Sequence, residues 1–243
     1  MRTDLLTLLG VLFVAFISMP VYAARAAGRV DPLEVTQRGS FVLGAFVRNW
    51  FYWFVGPIER VSLALGLSPT AFNLLGVAFG VASGFAFAGG FLGMGGWAVL
   101  LGGVADVLDG RIARAQKVAG PRGAFLDSTL DRFAEVGAFV GLAVYFQQST
   151  PALVAVASGL GGSLLVSYAR ARGESVGIVC KVGVMQRAER LLLIGLGGIL
   201  DPMMAAGMGW NEGTLLLALL VLVAVGTIGT AAYRTVWIAQ RLG

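Results

Sequence analysis

The sequence predicts an all-α, polytopic membrane protein. The bundle has six core transmembrane helices, with a preceding interfacial helix and one extra N-terminal transmembrane helix. Three observations carry this. Of 243 residues, 57% are hydrophobic and only 13% are charged, and a soluble core of this length cannot hide so much apolar surface. The apolar residues fall into stretches of about 20, the length that crosses a bilayer. The basic residues gather at alternate turns between these stretches.

Leu5 to Ala24 is the first apolar stretch and is long enough to span. Its end, Val21-Tyr22-Ala23-Ala24, also has the small residues of a signal-peptide cleavage site, although a retained helix is preferred. Residues 25–45 carry Arg25, Arg29, Asp31, Glu34 and Arg38 and read as a linker. The chain therefore divides into an N-terminal helix with linker, 1–45, and a membrane domain, 46–243. Residues 46–65 mix Phe46, Trp50, Phe51, Tyr52, Trp53 and Phe54 with Arg48, Glu59 and Arg60. Such a segment suits a helix lying in the interface, where Trp and Tyr favour the headgroup level. A short, tilted span is the alternative, which Pro57 and the flanking charges disfavour.

Six further spans are expected near 69–90, 94–115, 122–147, 151–172, 187–208 and 213–238. The first carries Gly76, Gly80 and Gly84 at four-residue spacing, a face that permits close helix contact within one chain or between two copies. Arg111, Arg114, Lys117, Arg122, Arg170, Arg172, Lys181, Arg187, Arg190, Arg234 and Arg241 share one side of the bundle with the linker arginines. The opposite turns, around 89–93, 147–151 and 201–212, contain no Lys or Arg. This asymmetry puts the basic side in the cytoplasm, with the N-terminus outside and the C-terminus inside. The net charge of +5 then marks contact with membrane lipids and their anionic headgroups rather than with nucleic acid.

The chain has no histidine and one cysteine, Cys180. That excludes histidine acid–base catalysis, Ser-His-Asp triads, an internal disulfide and a thiolate metal cluster. Any metal must be held mainly by carboxylates, which points to hard cations. Asp106, Asp109, Asp127 and Asp131 lie within or beside apolar helices, where an uncompensated charge costs roughly 2.5–3.5 kcal/mol at the bilayer centre. Asp106 and Asp109 share a face of one helix, and Asp127 and Asp131 share a face of the next. The short connection from Ala115 to Arg122 makes the two helices antiparallel neighbours, so the pairs can meet as a cage for two hard cations. Arg111 and Arg114 offer further compensation. Gly110 and Gly123 leave room for a ligand, although each alone is explained by helix packing.

The order Asp106-x2-Asp109-Gly110-x2-Ala113-Arg114-x8-Gly123-x3-Asp127-x3-Asp131 matches, without gap or substitution, the signature of the CDP-alcohol phosphatidyltransferases. Eight positions at fixed spacing arise by chance less than about once in a million sequences of ordinary composition. The resemblance covers about residues 46–240 and includes Leu67-Ser68-Pro69 with Asn73 at the start of the first core helix. It implies phospholipid synthesis: a metal-dependent transfer of a phosphatidyl-type group from a CDP-lipid to an alcohol, with release of CMP. It also implies Mg²⁺ or Mn²⁺, two ions, on Asp106, Asp109, Asp127 and Asp131. The donor would lie against Asp106, Gly110, Ala113, Arg114 and Gly123, with Asp131 as catalytic base, a choice that spacing alone does not make over Asp127.

Ser167-Tyr168-Ala169-Arg170-Ala171-Arg172 and Gln186-Arg187-Ala188-Glu189-Arg190-Leu191 resemble segments of the phosphatidylinositol-phosphate and archaetidylinositol-phosphate synthases. By that match the acceptor is inositol phosphate, its phosphate held by Arg172 and one or both of Arg187 and Arg190 through forked hydrogen bonds. Read without the resemblance, these arginines are cytoplasmic-side anchors. Gly173 stands where relatives often carry alanine. Glycerol 3-phosphate is the alternative acceptor, and an ion-coupled transporter or a non-catalytic scaffold is the alternative class. A homodimer in the cell (cytoplasmic) membrane, with its active site on the cytoplasmic side, is expected.

Overall fold

A computed structural model describes residues 2–26 and 44–242. Among these residues the chain forms eight helices and no strand: α1 (Arg2–Ala26), α2 (Gly44–Ala64), α3 (Pro69–Ala88), α4 (Leu92–Ala115), α5 (Pro121–Tyr145), α6 (Thr150–Ser175), α7 (Arg187–Met208) and α8 (Thr214–Ala239). The last six agree with the expected core spans to within a few residues. The linker residues Arg29, Asp31, Glu34 and Arg38 lie outside the described residues. α3, α4, α6, α7 and α8 are long and apolar enough to cross a membrane. α5 is as long, at 25 residues, but carries Arg122, Asp127, Asp131, Arg132 and Glu135, so hydropathy alone passes over it.

Local chemistry sets the helix ends. Ser68 caps α3, its Oγ accepting from Ala71 N at 3.2 Å, with Pro69 opening the helix. Ser149 does the same for α6, accepting from Ala152 N at 3.4 Å. Gly209 ends α7 with φ 69°, a left-handed conformation that favours glycine. α7 ends at Met208, as expected, and carries Asp201, which the charge pattern groups with the outer turn. Asp201 is buried and caps α8 from α7, accepting from Gly213 N at 2.6 Å and Leu216 N at 2.9 Å. A carboxylate at a helix N-terminus satisfies unpaired N–H groups and complements the helix dipole.

α3 packs on α4 and α5, α4 on α7, α6 on α8, and α7 on α8. Small residues set the spacing. A Cβ built on Gly80 would lie 2.5 Å from the Ala134 backbone, and one on Gly84 would overlap the Gly137 carbonyl. The glycine stripe is therefore used within one chain, to bring α3 against α5. Gly96 meets Gly195 at the α4–α7 crossing, and Gly162 meets Thr227 at α6–α8. Lipid tails give helices little hydrophobic reason to associate, so close backbone approach and dispersion hold such bundles. Large apolar side chains such as Phe85 and Val225 point outward instead.

α1 runs unbroken through Val21–Ala24 and packs on α2, where Trp50 Nε1 donates to Ser18 Oγ at 2.9 Å and Tyr22 meets Phe46 and Trp53. α2 continues through Pro57 and turns Trp50, Val55 and Ser62 inward. Val55 joins Phe72, Leu108 and Ile112 in a small cluster that seats α2 beside the motif helix α4.

The packing yields a paired prediction. Gly84→Val should destabilise the protein by about 1–3 kcal/mol through overpacking. Gly76→Ala, whose Cβ would meet only Gly102 O at 3.8 Å, should leave thermal unfolding in detergent nearly unchanged. Equal melting of both variants would contradict the α3–α5 contact.

Candidate active site

The connection 116–120 is closed by one left-handed residue and an extended glycine. Lys117 adopts φ 57°, and Gly120 precedes Pro121 at the first position of α5. The C-terminal part of α4 therefore faces the N-terminal part of α5. Ligand oxygens of Asp106, Asp109 and Asp127 lie within 4.8 Å of one another. Oxygens on opposite sides of a Mg²⁺ stand about 4.2 Å apart, so an all-oxygen set at this spacing fits a hard divalent cation. Asp109 is the buried member. Asn73 on α3 closes the inner side; with its amide turned so that the nitrogen faces the carboxylates, it donates to Asp109 Oδ2 at 2.8 Å and Asp127 Oδ1 at 3.3 Å.

Asp131 stands outside that triad. Its Oδ1 pairs with Arg187 at 2.7 Å, and its Oδ2 lies 3.6 Å from Arg132. Arg187, at the head of α7, also pairs with Asp106, so one guanidinium bridges both aspartate pairs. One turn along, the buried Arg190 donates from Nε to Glu135 Oε1 at 2.9 Å. Arg132 donates to Ser167 on α6. Arg172, in the last turn of α6, is exposed and donates to Ser175 Oγ at 3.3 Å. The structure thus brings Arg187 to the aspartates, seats Arg190 on Glu135 one turn away, and leaves Arg172 at the surface.

Compensation differs from expectation at Arg111. Its guanidinium turns away from the aspartates to pair with Glu59 and stack over Tyr52, 5.4 Å from the ring centroid. This contact, with the Gln116 Nε2 bond to Leu67 O at 2.9 Å, ties α2 and its connector to the motif helix. Arg187 and Arg132 supply the positive charge instead. Arg114 lies over Gly110: a Cβ there would stand 3.3 Å from its Nη1. Gly123 is exposed, with nothing within 4 Å of a Cβ, and Ala113 is half-buried between them in the chain.

The segment 176–186, which delivers Arg187, is pinned from α8. Buried Arg234 donates to Val182 O at 2.7 Å and Val166 O at 2.9 Å, and Thr230 Oγ1 accepts from Met185 N at 3.1 Å. Arg234 is thus a structural donor rather than a surface charge. Gly173 also has a packing reason, since a Cβ there would lie 2.7 Å from Ile238 Cδ1. Sequence reading gave no role to Asn73, Arg132, Glu135 or Glu59. Glu135 had a signal: it continues the four-residue spacing of Asp127 and Asp131. Arg132 sits next to Asp131 in the chain, whereas Asn73 and Glu59 lie on different helices from the residues they touch, so no local spacing reveals those two.

Residues 67–226 match the family model described as CDP-alcohol phosphatidyltransferase. The chain is 35% identical over 186 residues to the archaetidylinositol phosphate synthase of Methanothermobacter thermautotrophicus, covering 76% of this chain and 90% of that protein. It is 33% identical over 195 residues to the phosphatidylinositol phosphate synthase of Mycobacteroides abscessus, covering 79% and 86%. Among solved structures, it resembles the Mycobacterium tuberculosis phosphatidylinositol phosphate synthase with CDP-DAG bound, with TM-score 0.66, 29% identity and coverage of 75% and 92%. The same enzyme in complex with manganese and citrate gives TM-score 0.65 and 30% identity, covering 74% and 88%. The helical membrane fold, the oxygen-only cage and these likenesses agree: the chain is an enzyme of the CDP-alcohol phosphatidyltransferase family.

Proposed function

We propose that the enzyme transfers the phosphatidyl-type group of a CDP-lipid, CDP-diacylglycerol or an ether-lipid analogue, to the hydroxyl of inositol phosphate. The observation that carries the acceptor is Arg187, a cation for a phosphate beside Asp131, a base for a hydroxyl, at 2.7 Å. The names of the relatives in Methanothermobacter and Mycobacteroides support the same acceptor. Arg187 and Arg172 hold the acceptor phosphate in this reading, whereas Arg190, expected to share that role, is buried on Glu135 and stands behind Arg187.

The donor's cytidine diphosphate lies along Asp106, Gly110, Ala113, Arg114 and Gly123, where the space beside Gly123 accommodates it. Asp106, Asp109 and Asp127 hold divalent cations, two in this reading, with Asp131 at the edge of the second. Bound Mg²⁺ or Mn²⁺ supplies neutralisation of the charge that grows on the phosphate oxygens. Asp131, ion-paired with Arg187, accepts the proton of the acceptor hydroxyl. That oxygen forms a bond to the lipid-linked phosphorus as the bond to CMP breaks. The gathering of Lys and Arg on one side of the bundle supports a cytoplasmic-membrane enzyme with a cytoplasmic active site. Residues 46–243 form its catalytic membrane domain, with 1–45 as an appended helix and linker. The same reading takes the protein as a homodimer. Its Gly80 and Gly84 are consumed within one chain, so another lipid-facing surface must serve.

The acceptor is tested by incubating purified protein with CDP-diacylglycerol and Mg²⁺, offering inositol phosphate, inositol, glycerol 3-phosphate and serine separately, and measuring CMP. Inositol phosphate should give the fastest release. Preference for glycerol 3-phosphate would transfer the reading to phosphatidylglycerophosphate synthesis, and ion transport without CMP release would exclude it. Replacing Arg172 or Arg187 by Gln should raise the apparent KM for inositol phosphate more than that for the CDP-lipid. Equal effects on both substrates would return these arginines to an anchoring role.

Asp131→Asn keeps size and an oxygen but loses basicity. The variant should bind CDP-lipid nearly normally and lose about 10²–10⁴-fold in turnover. Turnover near that of the wild type would exclude the base role.

A further inference from the structure

Beneath the aspartate cage, between α3, α4, α5 and α7, lies a cavity of about 30 Å³. None of the four motif aspartates lines it. Its polar lining comes from Glu135, Arg187, Arg190 and Ser83, and its apolar lining includes Val99 and Phe139. Arg190 is 1% exposed and uses only Nε, on Glu135 Oε1 at 2.9 Å. Its Nη1 and Nη2, Glu135 Oε2 and Arg187 Nε are buried and have no hydrogen-bond partner among the described residues.

Such an arrangement is too costly to be dry. Each unmet buried polar group costs about 1–3 kcal/mol, and a charged one more. Proteins fill polar cavities with water that makes about three hydrogen bonds, and one water needs only about 10–15 Å³ of this kind of space. Here there is room for about two. The donors and acceptors are also complementary: Arg190 and Arg187 offer N–H groups, Glu135 Oε2 accepts, and Ser83 Oγ, donating to Gly80 O at 2.6 Å, has lone pairs left.

We infer that this cavity is a built hydration site, in which one or two ordered waters bridge the Arg190 terminal nitrogens, Glu135 Oε2 and Arg187 Nε. The waters turn the buried Glu135–Arg190 pair into a support for Arg187. Arg187 is then held from below by water and from above by Asp106 and Asp131. Glu135 is in this sense a positioning residue, acting on the acceptor only through Arg187. This positioning role rests on the acceptor proposed above, whereas the hydration site does not.

The test uses the full-length wild type in lipid nanodiscs, at a resolution that shows ordered water elsewhere in the bundle. Water density should lie within about 3.2 Å of an Arg190 terminal nitrogen and of Glu135 Oε2. Water visible elsewhere but absent here, or Arg190 terminal nitrogens bonded to protein carbonyls, overturns the site. The positioning role is read from Glu135→Gln, which keeps the size and one oxygen acceptor. The apparent KM for inositol phosphate should rise several-fold, with that for CDP-lipid unchanged. A rise in neither or equally in both overturns positioning while leaving the water result standing. If the wild type itself fails to use inositol phosphate, the proposed acceptor fails instead.

Discussion

Everything at the functional end of this molecule follows from holding negative charge in an apolar bundle. Asp106, Asp109, Asp127 and Asp131 repel one another, and membrane burial adds a desolvation cost to each. Two kinds of positive charge relieve this. Arg187 bridges Asp106 and Asp131, and Arg132 stands beside Asp131. The three aspartates left facing one another form an oxygen-only cage, where a divalent cation is the natural counter-charge. Arg187 is half-buried and shared between Asp106 and Asp131, so the arginines and the cage form one electrostatic unit.

Position within that unit depends on close helix contact. Gly84 and Gly137 draw α5 against α3, and Gly96 and Gly195 draw α7 against α4. The first contact carries Asp127 and Asp131 toward Asn73, and the second carries Arg187 toward Asp106. A bulkier contact in either place would move charged groups apart by more than a hydrogen bond tolerates. From outside, Arg234 pins segment 176–186, and Glu59 holds Arg111 and with it α2.

The membrane class, the six core helices and the aspartate cage were legible because each rests on local pattern. Apolar run length marks the spans, and i,i+3 and i,i+4 spacing puts Asp106 with Asp109 and Asp127 with Asp131 on common faces. What was not legible depends on partners far apart in sequence. Arg111 and Arg187 are both arginines near the motif's basic turns, yet Arg111 pairs with Glu59 and Arg187 with Asp106 and Asp131. No spacing separates those outcomes. The glycine stripe was ambiguous for the same reason, because Gly84 shows a close contact but not its partner. Asp201 looked like part of an outer turn, and only the meeting of α7 with the start of α8 makes it a cap.

The central claim is that the cage exists to hold divalent cations. Mn²⁺ binding to the purified protein in detergent, followed by electron paramagnetic resonance without any substrate, tests it most directly. The wild type should bind Mn²⁺ saturably, with Mg²⁺ competing, and Asp109→Asn should lose most of that binding while staying folded. Folded wild type that binds no Mn²⁺, or an Asp109→Asn variant that binds it equally well, would contradict the account.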